Sequence, residues 1–351
     1  MYKSNNRFYL LQSMFHIIFN GRICYNVRGN KKVLIVYHHM IQGGNKMLYK
    51  QIEGTDLTVS RIALGCMRIA DMQVDALETL VDKALSLGIN FFDHADIYGG
   101  GKSEELFGEV LKKRPELREK MIIQTKCGIC KGYYDFSKEH ILESVENSLE
   151  RLQCGYIDVL LLHRPDALMD PKEVAEAFHE LQASGKVRYF GVSNMNAYQI
   201  ERLQKYFKGK LLFNQLQFNV VHSGMIDSGF HVNMKDQEAI DRDGMLLDYC
   251  QLHDITIQPW SIVQASWEEG CFLDHPNYVS LNQKLEELSK TYGISKAAVS
   301  VAWILRHPAQ MQPIAGTTSI KHLEDLCTAC DVEMRREDWY ALYLSTEKVL
   351  P

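Results

Sequence analysis

The 351-residue sequence has no basic excess. Its formal charge is -5 at neutral pH, so nothing in its composition draws it to a phosphate backbone, and nucleic acid is not an expected partner. Past residue 50 no apolar run reaches the roughly 18 to 20 residues that a membrane span requires, so no membrane association is expected there. The nine cysteines are odd in number and follow no obvious signal peptide, which argues against a disulfide framework and for reduced thiols in a cytoplasm. Internal repeats and low-complexity linkers are absent. No G-x-G-x-x-G follows the first β-prone run, which counts against a doubly wound dinucleotide-binding sheet. The H-x-H that a metal-dependent barrel hydrolase would carry at the end of its first strand is replaced by Leu64, Gly65 and Cys66.

What is present is material for a large core, since 46% of residues are apolar and 24% charged. From Arg61 onward, short β-prone runs alternate with longer amphipathic stretches, the rhythm of βα units around a parallel sheet. Strands are expected at Arg61–Gly65, Asn90–Asp93, Met121–Lys126, Ile157–His163, Val187–Ser193, Phe213–Gln217, Thr256–Trp260 and Gln312–Ala315. Between them Val74, Leu77, Val81, Ala84 and Leu85 recur at helical spacing before Gly88, as do Ile141, Val145, Leu149 and Leu152, and then Val174, Ala177, Phe178 and Leu181 before Gly185. Eight such units predict a closed (β/α)8 barrel of the TIM type, with eight parallel strands, outer helices and an added C-terminal helix near Arg335–Ser345. A long stretch from Phe218 to about Arg242 breaks the rhythm after the sixth strand and is expected to shape the substrate pocket, with Met225, Phe230 and Met234 as apolar lining.

The first 46 residues differ in character. Phe8–Phe19 is apolar, but Gln12, Ser13 and His16 interrupt it and no A-x-A site follows, so export is disfavoured. Met47 opens a stretch that reads as a domain start, which leaves residues 1–46 as a flexible extension or the product of a mis-called start, without a catalytic role, and 47–351 as the barrel domain.

Chemistry-bearing residues fall at strand ends: Asp93 closes the second strand in NFFDHADIYGGG, Tyr98 lies in the following loop, Lys126 closes the third strand and His163 the fourth in DVLLLHRPD. Each alone has an ordinary structural reading as an ion-pair partner, a packing ring or a core histidine. In a barrel, however, these ends are neighbours on one rim, so residues distant in sequence meet in one pocket. Two other signals are weaker. The string GGGKS at Gly99–Ser103 lacks the earlier glycine of a phosphate-binding loop, since Asp96 stands there, and reads instead as a turn into a helix with Ser103 as N-cap and Glu104 and Glu105 in the first turn. The C-x-x-C pairs Cys127/Cys130 and Cys327/Cys330 are too far apart in the chain for an ordinary structural zinc site, and no metal is expected, although Cys127 beside Lys126 reads as a candidate for oxidation.

The sequence resembles the aldo-keto reductase family from about Tyr49 to the C-terminus, on Asp93, Ala95 and Tyr98 of D-x-A-x-x-Y, on Lys126, on LLHRPD around His163 and on GVSN at Gly191–Asn194. The likeness is greatest to bacterial oxidoreductases of the family that share the DHADIYGG and HRPD wording. The resemblance implies that Tyr98 is the general acid, that Lys126 and Asp93 tune it and that His163 orients a substrate carbonyl. A lysine ammonium beside a phenol is expected to lower its pKa by about one to three units. The resemblance also implies NADPH as cofactor, with NADH left open. Ser193, Asn194 and Gln215 match contacts to the nicotinamide carboxamide, Trp260 an aromatic that stacks on its ring, and Ser261 a phosphate contact. Gly65, Cys66 and Met67 match the loop beside the nicotinamide ribose, and Gly316, Thr317, Thr318, Ser319 and His322 the segment that holds the adenosine phosphate. The chain departs from the family pattern after Ser261, where Ile262–Ser266 replaces the usual Gly-rich pyrophosphate wrap, and at His322 and Leu326, where arginine and asparagine are common. The implied activity is NADPH-dependent reduction of an aldehyde or ketone in the cytoplasm. The alternative is a nicotinamide-sensing regulatory subunit with little turnover.

Overall fold

The computed structural model describes residues 47–351, together with the backbone of two short strands, Ile18–Phe19 and Arg22–Ile23, which pair antiparallel. The expectations for the remainder of residues 1–46 lie outside the described residues.

Eight parallel strands form the centre: β1 (Ala63–Gly65), β2 (Phe91–Asp93), β3 (Ile122–Cys127), β4 (Ile157–Leu162), β5 (Val187–Ser193), β6 (Leu211–Gln217), β7 (Thr256–Trp260) and β8 (Ile314–Ala315). Consecutive strands are neighbours from β1 to β7, and β8 lies beside β1. The ring closes where the Gln312 amide, just before β8, donates to the Ile257 carbonyl of β7 at 3.0 Å. These strands are buried on both faces, which is why they read as continuous apolar runs. β1 and β8 are shorter than expected because their leading residues have other partners. The Arg61 amide donates to Leu48 O, and its guanidinium reaches the Met311 and Leu305 carbonyls at 3.2 Å.

A hairpin of Tyr49–Gln51 and Thr58–Ser60 precedes the barrel. Its Ile52, Leu57 and Val59 pack with Phe91, Ile122 and Phe213 from the beginnings of the strands, which plugs the end opposite the strand termini.

The helical stripes fall as expected. In α1 (Val74–Ser86) Leu77, Leu80, Val81 and Ala84 are buried, and in α3 (Lys138–Leu152), capped by Ser137, so are Ile141, Val145 and Leu152. The helix α4 (Pro171–Ala183) starts at an Asp170 cap with proline in its first turn. The helix between, α2 (Lys102–Lys113), corrects one expectation: its N-cap is Gly101, not Ser103, whose hydroxyl is buried with no partner among the described residues. Glu104 turns inward, accepting from Thr125 Oγ1 at 2.5 Å and Arg151 Nε at 2.9 Å, rather than serving the helix end.

After α5 (Ala197–Gln204) and β6, the long loop contains α6 (Gly224–Phe230) and leads to α7 (Leu246–Leu252). The last helices are α8 (Val279–Tyr292), α9 (Lys296–Arg306), α10 (Ile320–Cys327) and α11 (Arg336–Leu344). The indoles of Trp303 on α9 and Trp339 on α11 stack 4.8 Å apart, and each N–H donates to the other residue's carbonyl at 3.1 Å, which locks the C-terminal helix onto the barrel. From beyond it, Lys348 donates to the Val220 and Val221 carbonyls at 3.1 and 3.2 Å, tying the chain end to the loop after β6. No described helix is long and apolar enough to cross a membrane.

Phe213 is fully buried, its ring 5.7 Å from that of Phe91. Phe213→Ala is expected to cost about 3–5 kcal/mol of folding stability, measured by urea denaturation.

Candidate active site

The strand ends place the expected residues together. Asp93 ends β2, Lys126 lies near the end of β3 in register with Leu161 of β4, and His163 directly follows β4. Tyr98 reaches the same point because the chain turns sharply after it. Gly99, Gly100 and Gly101 all have positive φ, at 59°, 67° and 94°, a conformation costly for any residue with a Cβ. A Cβ on Gly99 would also stand 2.4 Å from that of Ala70.

At the centre is the ammonium of Lys126, with no exposed surface. It donates to Asp93 Oδ2 at 2.9 Å, to the His94 carbonyl at 2.7 Å and to the Tyr98 hydroxyl at 2.9 Å. Burial works to discharge the amine, but Asp93 and Tyr98 outweigh it and hold its pKa above the ordinary lysine value. The His163 ring meets that of Tyr98 edge-on at 5.9 Å. Burial above all, with help from Lys126 and Arg164, holds His163 well below its usual pKa, so it presents a neutral imidazole. Its Nδ1 has no partner among the described residues.

The phenol departs from expectation. Burial raises the Tyr98 pKa, and although Lys126 pulls it down through its charge and hydrogen bond, the net direction is upward. The ammonium alone favours the phenolate, but the loss of water around the ring outweighs it. The consequence is a phenol that keeps its proton at neutral pH, beside a cation ready to stabilise the phenolate once the proton leaves.

These groups open onto a cavity of about 780 Å³. Gly65, Met67, Ser193, Asn194, Gln215, Trp260, Ser261 and Gly316 all line it. Several interlock: the Ser193 hydroxyl donates to the Gln215 carbonyl at 2.9 Å, Asn194 Nδ2 to Ser193 Oγ at 2.8 Å, and the Trp260 indole to Asn194 Oδ1 at 3.3 Å. Cys66 does not join them. It is fully buried, with its thiol toward the Leu64 carbonyl. Thr317, Thr318, Ser319 and His322 are not on this wall either. They lie just beyond Gly316, where Ser319 caps α10 by accepting from the His322 amide at 3.3 Å. Cys127 is fully buried and its thiol pKa is pushed well up by burial, a poor setting for the oxidation expected of it.

Other contributors were not singled out from the sequence. Arg68 donates to the Gly316 carbonyl at 2.9 Å, and Arg164 sits over the Trp260 ring at 5.7 Å. Asn219 donates to the Ser261 and Gln264 carbonyls, each at 2.8 Å, and so shapes the segment that departs from the family pattern. That segment forms a small hairpin, Gln264–Ser266 with Gly270–Cys271, whose Trp267 also lines the cavity. Apart from Arg164, which belongs to the HRPD wording, these residues carry no local motif; only the folded rim brings them to the pocket.

A family model described as the aldo/keto reductase family matches residues 61–343. The chain is 35% identical over 309 residues to the oxidoreductase YcsN of Bacillus subtilis, covering 83% of this chain and 96% of that protein. It is 33% identical over 300 residues to a 6-dehydroglucose reductase of Agrobacterium fabrum, covering 82% and 94% of the two chains. A Klebsiella pneumoniae aldo-keto reductase crystallised with NADPH shares the fold, with a TM-score of 0.65 at 23% identity over 81% of this chain and 90% of that one. Barrel, rim and relatives together define an NAD(P)H-dependent oxidoreductase. Within that class, the chain belongs to the aldo/keto reductase family.

The buried ring of His94 yields a pH prediction. Neither ring nitrogen has a partner among the described residues, and burial, reinforced by Lys126, lowers its pKa to about 3. An unfolded histidine takes up a proton near pH 6.5. Between those values the unfolded chain binds more protons, so stability falls as pH drops below about 6.5. His94→Leu is expected to flatten that decline in urea titrations between pH 7 and 5; an unchanged slope would remove His94 as its source.

Proposed function

We propose that the enzyme reduces an aldehyde or ketone with NADPH and that Tyr98 delivers the proton to the carbonyl oxygen. The observation that carries this reading is the buried ammonium of Lys126, bonded to both Tyr98 and Asp93. Carbonyl reduction requires a proton for the oxygen as hydride reaches the carbon, and the nicotinamide supplies that hydride when bound. Tyr98 holds a proton at neutral pH, Lys126 stabilises the phenolate left behind, and Asp93 keeps the lysine charged and in place. The neutral His163 has a hydrogen-bonding face with which to orient the carbonyl without competing as an acid.

The cavity residues fit a nicotinamide dinucleotide. Gly316 carries no Cβ, and one added there would stand 2.8 Å from the Arg68 guanidinium. Asn194, Gln215 and Trp260 would hold the nicotinamide end, and Ser261 and Gly316 would lie toward the phosphates. Thr317, Thr318, Ser319 and His322, beside the start of α10, would face the adenosine, and Arg68 adds a positive charge near them. Those donors favour NADPH over NADH through its additional phosphate.

A second cavity of about 740 Å³ shares Arg164, Asn194, Trp260 and Trp267 with the first. Met225 lines it as expected, but Phe230 packs against Tyr340 and Tyr343, and Met234 is 42% exposed. Asn196, Gln199, Gln217 and His222 give its wall a polar character, which suits a hydroxylated carbonyl, the kind of substrate named for the Agrobacterium relative. We place the enzyme in the cytoplasm, a reading supported by the free state of the described cysteines.

Tyr98→Phe is expected to keep NADPH binding while losing about 10²- to 10⁴-fold in turnover, followed by the absorbance of the reduced cofactor; Lys126→Met should lose turnover too. Full activity in Tyr98→Phe would remove the tyrosine from its role. Tight NADPH binding by the parent with no turnover of any carbonyl would favour a sensor. Residues 47–351 are proposed to suffice for catalysis, and a chain beginning at Met47 is expected to match the full chain in kcat/KM.

A further inference from the structure

The barrel interior beneath Asp93 contains a line of side-chain amides of which only Gln215 enters the chemistry above. Gln312 Nε2 donates to the Ser60 carbonyl at 2.7 Å, and Gln258 Nε2 donates to Gln312 Oε1 at 2.9 Å. Gln258 Oε1 in turn accepts from Gln124 Nε2 at 3.0 Å and from Gln215 Nε2 at 3.3 Å. Those same two nitrogens donate their other hydrogens to Asp93 Oδ1, at 2.6 and 3.0 Å. Gln124, Gln258 and Gln312 have no exposed surface, and Gln215 has 3%.

The two ends dictate the direction of every bond between them. A backbone carbonyl only accepts, so Gln312 must turn its nitrogen to Ser60, which leaves its oxygen to receive Gln258. An ionised carboxylate also only accepts, so Gln124 and Gln215 must turn their nitrogens to Asp93. Gln258 joins the halves with its oxygen toward the two donors and its nitrogen toward Gln312, the one orientation that satisfies both. Reversing any amide would set oxygen against oxygen or nitrogen against nitrogen. The arrangement has a visible cost, since Gln124 Oε1 is buried with no partner among the described residues. Gln215 differs because it lines the main cavity. With its nitrogen committed below, the end it has left for a ligand is an acceptor.

We infer that Gln258 is a positioning residue: oriented by Gln312 and the Ser60 carbonyl, it acts together with Asp93 to hold Gln215 with its oxygen toward the cofactor, so that the site selects a ligand bearing an amide N–H donor at that point. This rests on the nicotinamide reading of the cavity. A carboxamide meets the requirement, and the acid analogue, with a carboxylate in its place, would set two acceptors against each other.

The test compares the parent with Gln258→Leu and Gln258→Glu. Binding is followed by protein fluorescence for NADPH and for 2′,5′-ADP, which lacks the nicotinamide. Gln258→Leu is expected to weaken NADPH about tenfold while 2′,5′-ADP stays within about twofold, the loss of roughly one oriented hydrogen bond. Gln258→Glu distinguishes orientation from packing. A protonated glutamic acid accepts and donates as glutamine does, whereas its carboxylate cannot donate to Gln312. Both forms nevertheless still accept from Gln215 Nε2 as Gln258 does, so NADPH affinity in this variant should stay within about threefold of the parent's, a rescue that the apolar Gln258→Leu does not give. Selective ¹⁵N labelling of glutamine gives a readout that needs no cofactor: the slowly exchanging Gln215 side-chain amide of the parent should exchange faster in Gln258→Leu. Unchanged exchange, or equal weakening of both ligands, would overturn the relay. A parent that binds 2′,5′-ADP but gains nothing from the nicotinamide would overturn the functional reading, while the exchange result still judges the relay.

Discussion

The site depends on keeping a positive charge where water cannot reach it. A lysine ammonium with no exposed surface loses hydration worth several kcal/mol, and only fixed partners make its charged form favourable. Asp93 supplies the opposite charge, while the His94 carbonyl and the Tyr98 oxygen complete its hydrogen bonds. Remove Asp93, and the amine is expected to shed its proton rather than remain charged and unpaired. The barrel makes the arrangement affordable in a geometric sense: adjacent parallel strands present their ends side by side, so charge, counter-charge and phenol come from two successive βα units without a long loop having to find its place.

Electrostatics on the rim are sorted by burial as much as by neighbours. Tyr98 and His163 both face Lys126, yet desolvation is the leading influence on each. It keeps the phenol protonated and the imidazole neutral. Two groups that titrate far apart in water are thus both uncharged around neutral pH, one with a proton to give and the other with none to spare. The lysine lowers the cost of the phenolate without forcing it to form early. Behind the rim, Glu104 with Arg151 and Thr125 fastens α2 to β3 and α3, so the turn carrying Tyr98 enters a helix that is itself anchored.

Much of this was legible in the sequence because it is periodic. Continuous apolar runs such as Ile157–Leu162 and helical stripes such as Leu77, Val81 and Ala84 report burial directly, and the strand ends then locate Asp93, Lys126 and His163. What was not legible depends on three-dimensional neighbours. Ser103 has the composition of a cap but follows glycines whose positive φ moves the helix start to Lys102, and the hydroxyl is left inside. Cys66 sits between two cavity-lining residues and points away from both. Arg68 and Asn219 act through carbonyls far along the chain, and nothing in their local sequence marks them. The direction of the Tyr98 shift likewise needed the burial of its ring, not only the identity of its neighbour.

The three glycines after Tyr98 divide the pocket into parts with unequal room for change. On their side, left-handed backbone and the nearness of Ala70 leave almost no side chain that fits, so the proton-delivering wall is closed to variation. Across the mouth, the loop after β6 carries helical and irregular segments pinned at its margins by Lys348 and Tyr343, and His222, Met225 and Asp227 from it line the second cavity. New substrate preferences in this scaffold are therefore to be sought on that far wall, where residues can be exchanged without disturbing the turn that sets the acid.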